Sequence, residues 1–233
     1  MPITPAPHSH RLILRFCNPF ALTSCTLYSL FGHSPNKPIA MQKRNLKNKL
    51  LKAAEKRIQG GGIGALSLRK LAKDAGVTTM ATYHHFANKE ALLIEIAIKG
   101  FDELAEDMSE ASIKATSPKQ AVTGIMRAYF RFALEKPDIY HLMFGREIQG
   151  KQLIPGFKKA ANRSFYIMAD AIKDHLDNSG HKVDADAVGL SFWGTLHGLV
   201  CLVTDGTILF RSQSKEKLER LIDQAVKGLF YIY

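Results

Sequence analysis

Cysteine is scarce in this 233-residue chain: Cys17, Cys25 and Cys201 are the only three, two near the start and one near the end. That excludes a disulfide framework and a thiolate zinc site, and it fits a reducing cytoplasm. Long hydrophobic runs are in short supply as well. No uncharged apolar run reaches the roughly 18–20 residues that a membrane span requires. The stretch Leu12 to Phe31 comes nearest, and Arg15, Asn18 and Pro19 interrupt it. A nucleotide-cradling loop is missing too. The run Gly60, Gly61, Gly62, Ile63, Gly64 comes after a helical segment rather than a strand and lacks a Gly-Lys-Ser/Thr ending. Internal repeats and convincing strands are absent from the pattern.

Acidic residues are absent from the first forty positions and rare in the next fifty. The formal net charge is +11. Residues 41–90 carry eleven Lys/Arg against Glu55, Asp74 and Glu90, whereas residues 91–233 hold eighteen of each sign. All of the excess therefore lies in the first 90 residues. A basic segment beside a neutral one is the footprint of a domain that meets phosphate joined to one that does not. Charge alone is equally consistent with a solvated basic helix surface.

Residues 1–40 differ from the remainder of the chain. They hold Pro2, Pro5, Pro7, Pro19, Pro35 and Pro38, two of the three cysteines, and no helical period. A cleaved signal peptide and a disordered arm that adds phosphate contacts are two readings. The third, which the abrupt switch at Met41 favours, makes residues 1–40 a non-native or dispensable extension and Met41 the natural start.

The most informative segment runs from Ser67 to Leu92. Ser67 is an N-cap, and Leu68, Leu71, Ala72 and Ala75 form an apolar stripe at helical spacing. Gly76 ends that helix in a left-handed conformation, Val77 anchors the turn, and Thr78 caps a second helix running to about His85. Small Ala72, four residues before Gly76, permits the close crossing of a helix-turn-helix. The second helix of such a unit lies in the DNA major groove. Thr82 is expected to return its hydroxyl to a carbonyl one turn earlier.

Elsewhere from Gln42 onward the chain reads as helices with short punctuation. The first covers about 43–59, with Leu46, Leu50, Ala53, Ala54 and Ile58 on one face. A fourth opens at Asn88 and runs to about Glu110. Ser117-Pro118-Lys119-Gln120 forms a capping box with proline at the first helical position, opening a helix to about Glu135. Pro137 starts a short helix, and others span about 157–178, 184–205 and 214–231. The fold class is all-α: an N-terminal helix-turn-helix domain at 41–90, then a helical regulatory and dimerisation domain at 91–233.

These features carry a family resemblance. Residues 43–92 resemble the N-terminal domain of TetR-family transcriptional regulators. The ending Tyr83-His84-His85-Phe86, with Asn88-Lys89-Glu90-Ala91-Leu92 after it, is the specific part. The C-terminal part resembles a subgroup named for a Trp-His-Gly motif. Trp193-Gly194-Thr195-Leu196-His197-Gly198 matches, as do Arg127 to Glu135 and Leu142-Met143-Phe144-Gly145. The resemblance implies a ligand-responsive DNA-binding regulator, a repressor as a family expectation, acting as a homodimer on double-stranded DNA and released by a small-molecule effector.

Several residues are expected at the DNA surface. Lys89 sits where helix N-terminal donors and an ammonium would both meet a phosphate. The resemblance places Tyr83, His84 and Arg69 at DNA-contacting positions. Thr79, Met80 and Ala81 occupy the positions that face base edges, and Thr78 caps its helix or binds phosphate. His85 and Phe86 read as packing residues, with contact to a phosphate as the alternative for His85. Met80 and Ala81 depart from the family pattern and offer only apolar contact to a thymine methyl, so specificity should lean on methyls and DNA shape.

The effector site is expected among Tyr129, Phe130, Tyr140, Met143, Phe144, Phe165, Trp193 and His197, with a packed core containing a satisfied histidine as the alternative. Apolar stripes suggest a dimer face, with packing inside a single bundle as the alternative: Leu190, Trp193, Leu196, His197, Val200 and Cys201 on one helix, and Leu218, Leu221, Ile222, Ala225, Val226, Leu229 and Phe230 on the other. Gly189, Gly194 and Gly198 would admit a facing helix. No cofactor or metal is expected. Asp184, Asp186 and His181 read as a solvated helix start rather than a metal cluster. The rival class is a helical enzyme using His141, His197 or Cys201, for which no nucleophile–base–orienter spacing appears. A membrane-surface role for the basic first helix is weaker still, since its apolar face carries no Trp or Phe.

Overall fold

The computed structural model describes residues 39–180, 184–206 and 214–232, and the chain from Lys43 to Tyr233 forms one compact unit. Residues 1–38, His181 and thus part of the extension and acidic-cluster readings lie outside the described residues. Among the described residues there are helices and no strands. The chain is all-α.

Helix α1 spans Ile39–Gly61, α2 Leu68–Ala75, α3 Thr79–Tyr83 and α4 Lys89–Ile113. A 3-10 turn at Ile63–Ala65 joins α1 to α2. Gly62, at φ 69°, makes the bend that an L side chain would resist. Ser67 occupies the N-cap position of α2 but its side chain makes no cap hydrogen bond there, which corrects the capping expectation. Gly76 does end α2 in the left-handed conformation, and the Val77 amide closes onto the Ala72 carbonyl at 2.9 Å. Thr78 caps α3, its hydroxyl accepting from the Ala81 amide at 3.2 Å. Asn88 caps α4 through the Ala91 amide at 2.7 Å.

Helices α5 (Pro118–Glu135), α6 (Pro137–Phe144), α7 (Pro155–Ser179), α8 (Ala185–Thr204) and α9 (Lys215–Ile232) build the remainder. Ser117 accepts from the Gln120 amide at 3.3 Å, while the Gln120 side chain reaches past the cap to the Thr116 amide at 3.1 Å. Helix α4 runs through the middle of the molecule and packs on α5, α6 and α7. Gly100 lets α6 close on it: a methyl group there would stand 2.7 Å from Met143 Sδ and 2.9 Å from Ile139 Cγ2. One core links Leu50, Leu71 and Phe86 to Phe101, Tyr129 and Leu196.

Three further expectations change. Thr82 is fully buried, yet its hydroxyl has no hydrogen-bond partner rather than a carbonyl one turn back. Helix α8 is long and apolar enough to cross a membrane by length and composition, contrary to the sequence reading; it packs instead against α5, α7 and α9. The apolar stripe of α8 also splits. Val188, Phe192, Leu196 and Val200 recur every fourth residue and are buried, whereas Leu190 is 64% exposed. Six residues separate Leu190 from Leu196, which at 3.6 per turn puts them well apart around the helix.

Candidate nucleic-acid interface and effector site

The outer surface of the helix-turn-helix is built by α2 and α3. Arg69, Thr78, Thr79 and His84 are exposed, Met80 and Tyr83 strongly so, and Ala81 is half-buried. The short α3 therefore presents Thr79, Met80 and Tyr83 to solvent while Thr82 and Phe86 turn inward. Phe86 is a packing residue at 1% exposure. The Thr78 hydroxyl is engaged as a cap. Lys89 is half-buried, and its ammonium donates to the Ile63 carbonyl at 2.8 Å, an internal tie that the sequence did not suggest.

Two of the three acids in this half are engaged in internal ion pairs. Asp74 takes a bidentate bond from Arg57, which holds its carboxyl below the usual carboxylate range. Glu55 accepts from Lys99 of α4 at 2.7 and 2.8 Å. Burial works against the Lys99 ammonium, but Glu55 and Glu103 outweigh it and its pKa is raised. A groove of about 600 Å³ opens between α1 and α3, lined by Lys43, Arg44, Lys47, His84 and His85. The α1 cations in it were missed as site residues. Their signal was the spacing of Lys43 and Lys47, one helical turn apart.

The second candidate site is an aromatic cluster where α5, α6, α7 and α8 meet. Phe144 is its hub, with ring centroids 4.7 Å from Tyr140, 5.0 Å from His197, 6.0 Å from Trp193 and 6.2 Å from Tyr129. Trp193 lies 5.4 Å from Tyr129 and 5.6 Å from Phe165. Six of the eight expected residues thus come together. Phe130 and Met143 are buried in the same core, Met143 against Gly100, and Phe130 makes none of these ring contacts. Phe101 of α4, not foreseen, stacks edge-on to Phe144 at 5.2 Å. It couples the cluster to the helix whose first turn carries Lys89.

Polar atoms inside the cluster form a relay. The Tyr129 and Tyr140 hydroxyls are 2.8 Å apart, and both reach His197 Nδ1, Tyr129 at 3.2 Å. His197 Nε2 lies 3.6 Å from Cys201 Sγ. Burial keeps these groups neutral: it raises both phenols, lowers His197 against the opposing pull of Asp205, and raises Cys201. A thiolate–imidazolium nucleophile needs the opposite shifts. His141 is occupied separately, with Nε2 2.9 Å from Asp205 Oδ1 and 3.1 Å from Thr204 Oγ1.

Residues 50–96 match the family model of bacterial regulatory proteins, tetR family, and residues 122–228 match that of the tetracyclin repressor-like C-terminal domain. The HTH-type transcriptional repressor KstR2 of Mycolicibacterium smegmatis is 27% identical over 123 residues, 53% of this chain and 60% of that protein. The chain thus spans about three fifths of that curated relative. A solved protein of unknown function from Rhodococcus sp. RHA1 is 25% identical with a TM-score of 0.70, covering 80% of this chain and 94% of its own. The regulator FadR from Bacillus subtilis, solved in complex with stearoyl-CoA, shares the fold at 17% identity and a TM-score of 0.64, over 78% of this chain and 96% of its own. The two family models adjoin the two sites, one over the helix-turn-helix and one over the aromatic cluster. The chain belongs to the TetR family of bacterial regulatory proteins.

Proposed function

We propose that this chain is a ligand-responsive, DNA-binding transcriptional regulator of the cytoplasm, a repressor that binds a palindromic operator as a homodimer. The observation that carries the reading is the exposed edge of α3, Thr79, Met80 and Tyr83, standing on the basic half of the chain. In this reading residues 41–90 are the DNA-binding domain and 91–233 the regulatory one. Thr79, Met80 and Ala81 meet base edges, while Arg69, Tyr83, His84 and one remaining face of Lys89 meet phosphates, with Thr78 reserved for the cap. Residues 1–40 are dispensable for binding. The chain catalyses nothing and needs neither cofactor nor membrane.

The effector is a small, largely apolar molecule received at the aromatic cluster, which the resemblance to the Trp-His-Gly subgroup supports. That a protein of the same fold was solved with stearoyl-CoA agrees with such a ligand. Dimerisation is assigned to the open face of α8, where Leu190 is exposed and an added methyl at Gly194 or Gly198 would meet nothing within 4 Å. A two-fold pair sets two copies of α3 into successive major grooves.

The test is binding of the full chain to DNA upstream of its own coding region and to a random duplex pool, across a salt series, beside Tyr83→Phe. A specific complex that weakens steeply with salt and with loss of the hydroxyl is expected. Binding to neither DNA overturns the reading.

A further inference from the structure

The groove between α1 and α3 has an unusual lining for a site of its size. Lys43, Arg44 and Lys47 come from α1, and His84 and His85 from the turn that follows α3, with no carboxylate among them. An acid of α4 pairs with one of these cations: Glu95 meets Lys47 at 2.9 Å. His85 is half-buried, with its ring 6.3 Å from that of Phe86. Ala81 forms both the wall of the groove and part of the face of α3. A DNA strand tracking along α3 therefore passes over the opening.

We propose that this groove seats a backbone phosphate of the bound DNA and that His85 gains a proton as the phosphate enters, so that operator affinity rises as pH falls. The inference rests on the DNA-binding reading above. In the free chain the local field opposes the proton. Burial first, then Lys47, His84 and Lys43, hold His85 below its ordinary value. A phosphate placed among three cations and two imidazoles reverses that field and favours the charged form of His85. Binding then draws protons from solution, and mass action makes the complex tighter in acid. Glu95 already stabilises Lys47 in both states, so it contributes little to the difference.

The probe is a duplex selected from a random pool by the wild-type full chain. Its dissociation constant is measured at constant ionic strength from about pH 8 to about pH 6, the range in which imidazoles titrate. The expected result is about tenfold tighter binding at the acid end, within the ceiling of roughly tenfold per pH unit for each proton gained. His85→Gln should abolish that slope, whatever the affinity of the variant at the alkaline end. Calorimetry of the wild type in two buffers of different ionisation heat counts the protons directly and needs no variant. Net uptake is expected.

A salt-dependent complex with no pH slope and no proton uptake overturns the inference while leaving the DNA-binding reading in place. An identical pH slope in His85→Gln also overturns it, because the proton then belongs to another group. If no duplex can be selected at all, the DNA-binding reading fails and this inference falls with it.

Discussion

The ammonium of Lys89 donates to the carbonyl of Ile63 at 2.8 Å, tying the first turn of α4 to the 3-10 turn between α1 and α2. The same lysine stands at a helix start, where an anion is favoured. Its internal bond gives it a second task, holding the helix-turn-helix against α4. Lys89→Met removes the donor and leaves a carbonyl in a half-buried setting, which should cost about 1–3 kcal/mol of stability. Urea unfolding would measure it. A lysine that served phosphate alone would leave the midpoint unmoved and reduce only the salt slope of DNA binding, by roughly 1.

Thr82 supplies a prediction of the opposite sign. Its hydroxyl is fully buried in α3 with no partner, although its carbonyl accepts from both His85 and Phe86 at 3.0 Å. Burying an unpartnered hydroxyl is unfavourable, and valine has the same shape without that group. Thr82→Val should stabilise the protein by about 1 kcal/mol. The side chain points away from the exposed face of α3, so DNA affinity should stay the same. An unfolding midpoint lower than wild type would show that the hydroxyl has a partner in solution.

These two residues also mark where the sequence was and was not legible. Helix class, the Gly76 turn, and the Thr78, Asn88 and Ser117 caps were readable because each depends on residues within four positions of one another. Six residues of the aromatic cluster were readable as a set from their composition. The Lys89–Ile63 tie crosses 26 positions and ends on a backbone carbonyl, so no side-chain pattern announces it. Phe101 joins Phe144 across a helix pair, and its place depends on how α4 and α6 cross. The partner of a buried hydroxyl is equally non-local: Thr82 has the right spacing for a back-bond, and rotamer and packing decide against it. Leu190 was misplaced by treating the whole of α8 as one apolar face.

Close packing of α4 and α6 rests on Gly100. A Cβ at that position would lie 2.9 Å from Ile139 Cγ2, a branched side chain with little freedom to move, and 2.7 Å from Met143 Sδ, which can give way. Gly100→Ala gains helix propensity but forces the two helices apart. The expected net effect is destabilisation by about 1–3 kcal/mol, as for other overpacked sites. Thermal unfolding checks this. Because α6 also carries Tyr140 and Phe144, near-ultraviolet circular dichroism should report the disturbed aromatic cluster.

His197 makes the free protein sensitive to acid. Burial lowers its pKa below the ordinary 6.5, and Asp205 only partly offsets that. The unfolded chain therefore binds the proton more readily than the folded one. Stability contributed by the neutral ring is fully present above the unfolded value and declines as pH falls through it toward the folded value. His85 is shifted in the same direction and adds to the trend. Melting temperature should fall on going from neutral toward about pH 5, and His197→Gln should flatten the curve. A wild-type melting temperature that rises over this window would contradict the assignment.

Leu190 tests the dimer without disturbing the fold. It is 64% exposed on α8, beside Gly194, where an added methyl would meet nothing within 4 Å. Its neighbours Val188, Phe192 and Leu196 hold the helix to its own bundle, so a change at Leu190 leaves that packing intact. If two copies meet across this face, Leu190→Glu sets two carboxylates against each other in a desolvated contact. Sedimentation should then show a monomer with unchanged helicity, and affinity for a palindromic duplex should drop at least tenfold while affinity for a half-site is retained. A dimer that survives the substitution would move the interface off this face of α8.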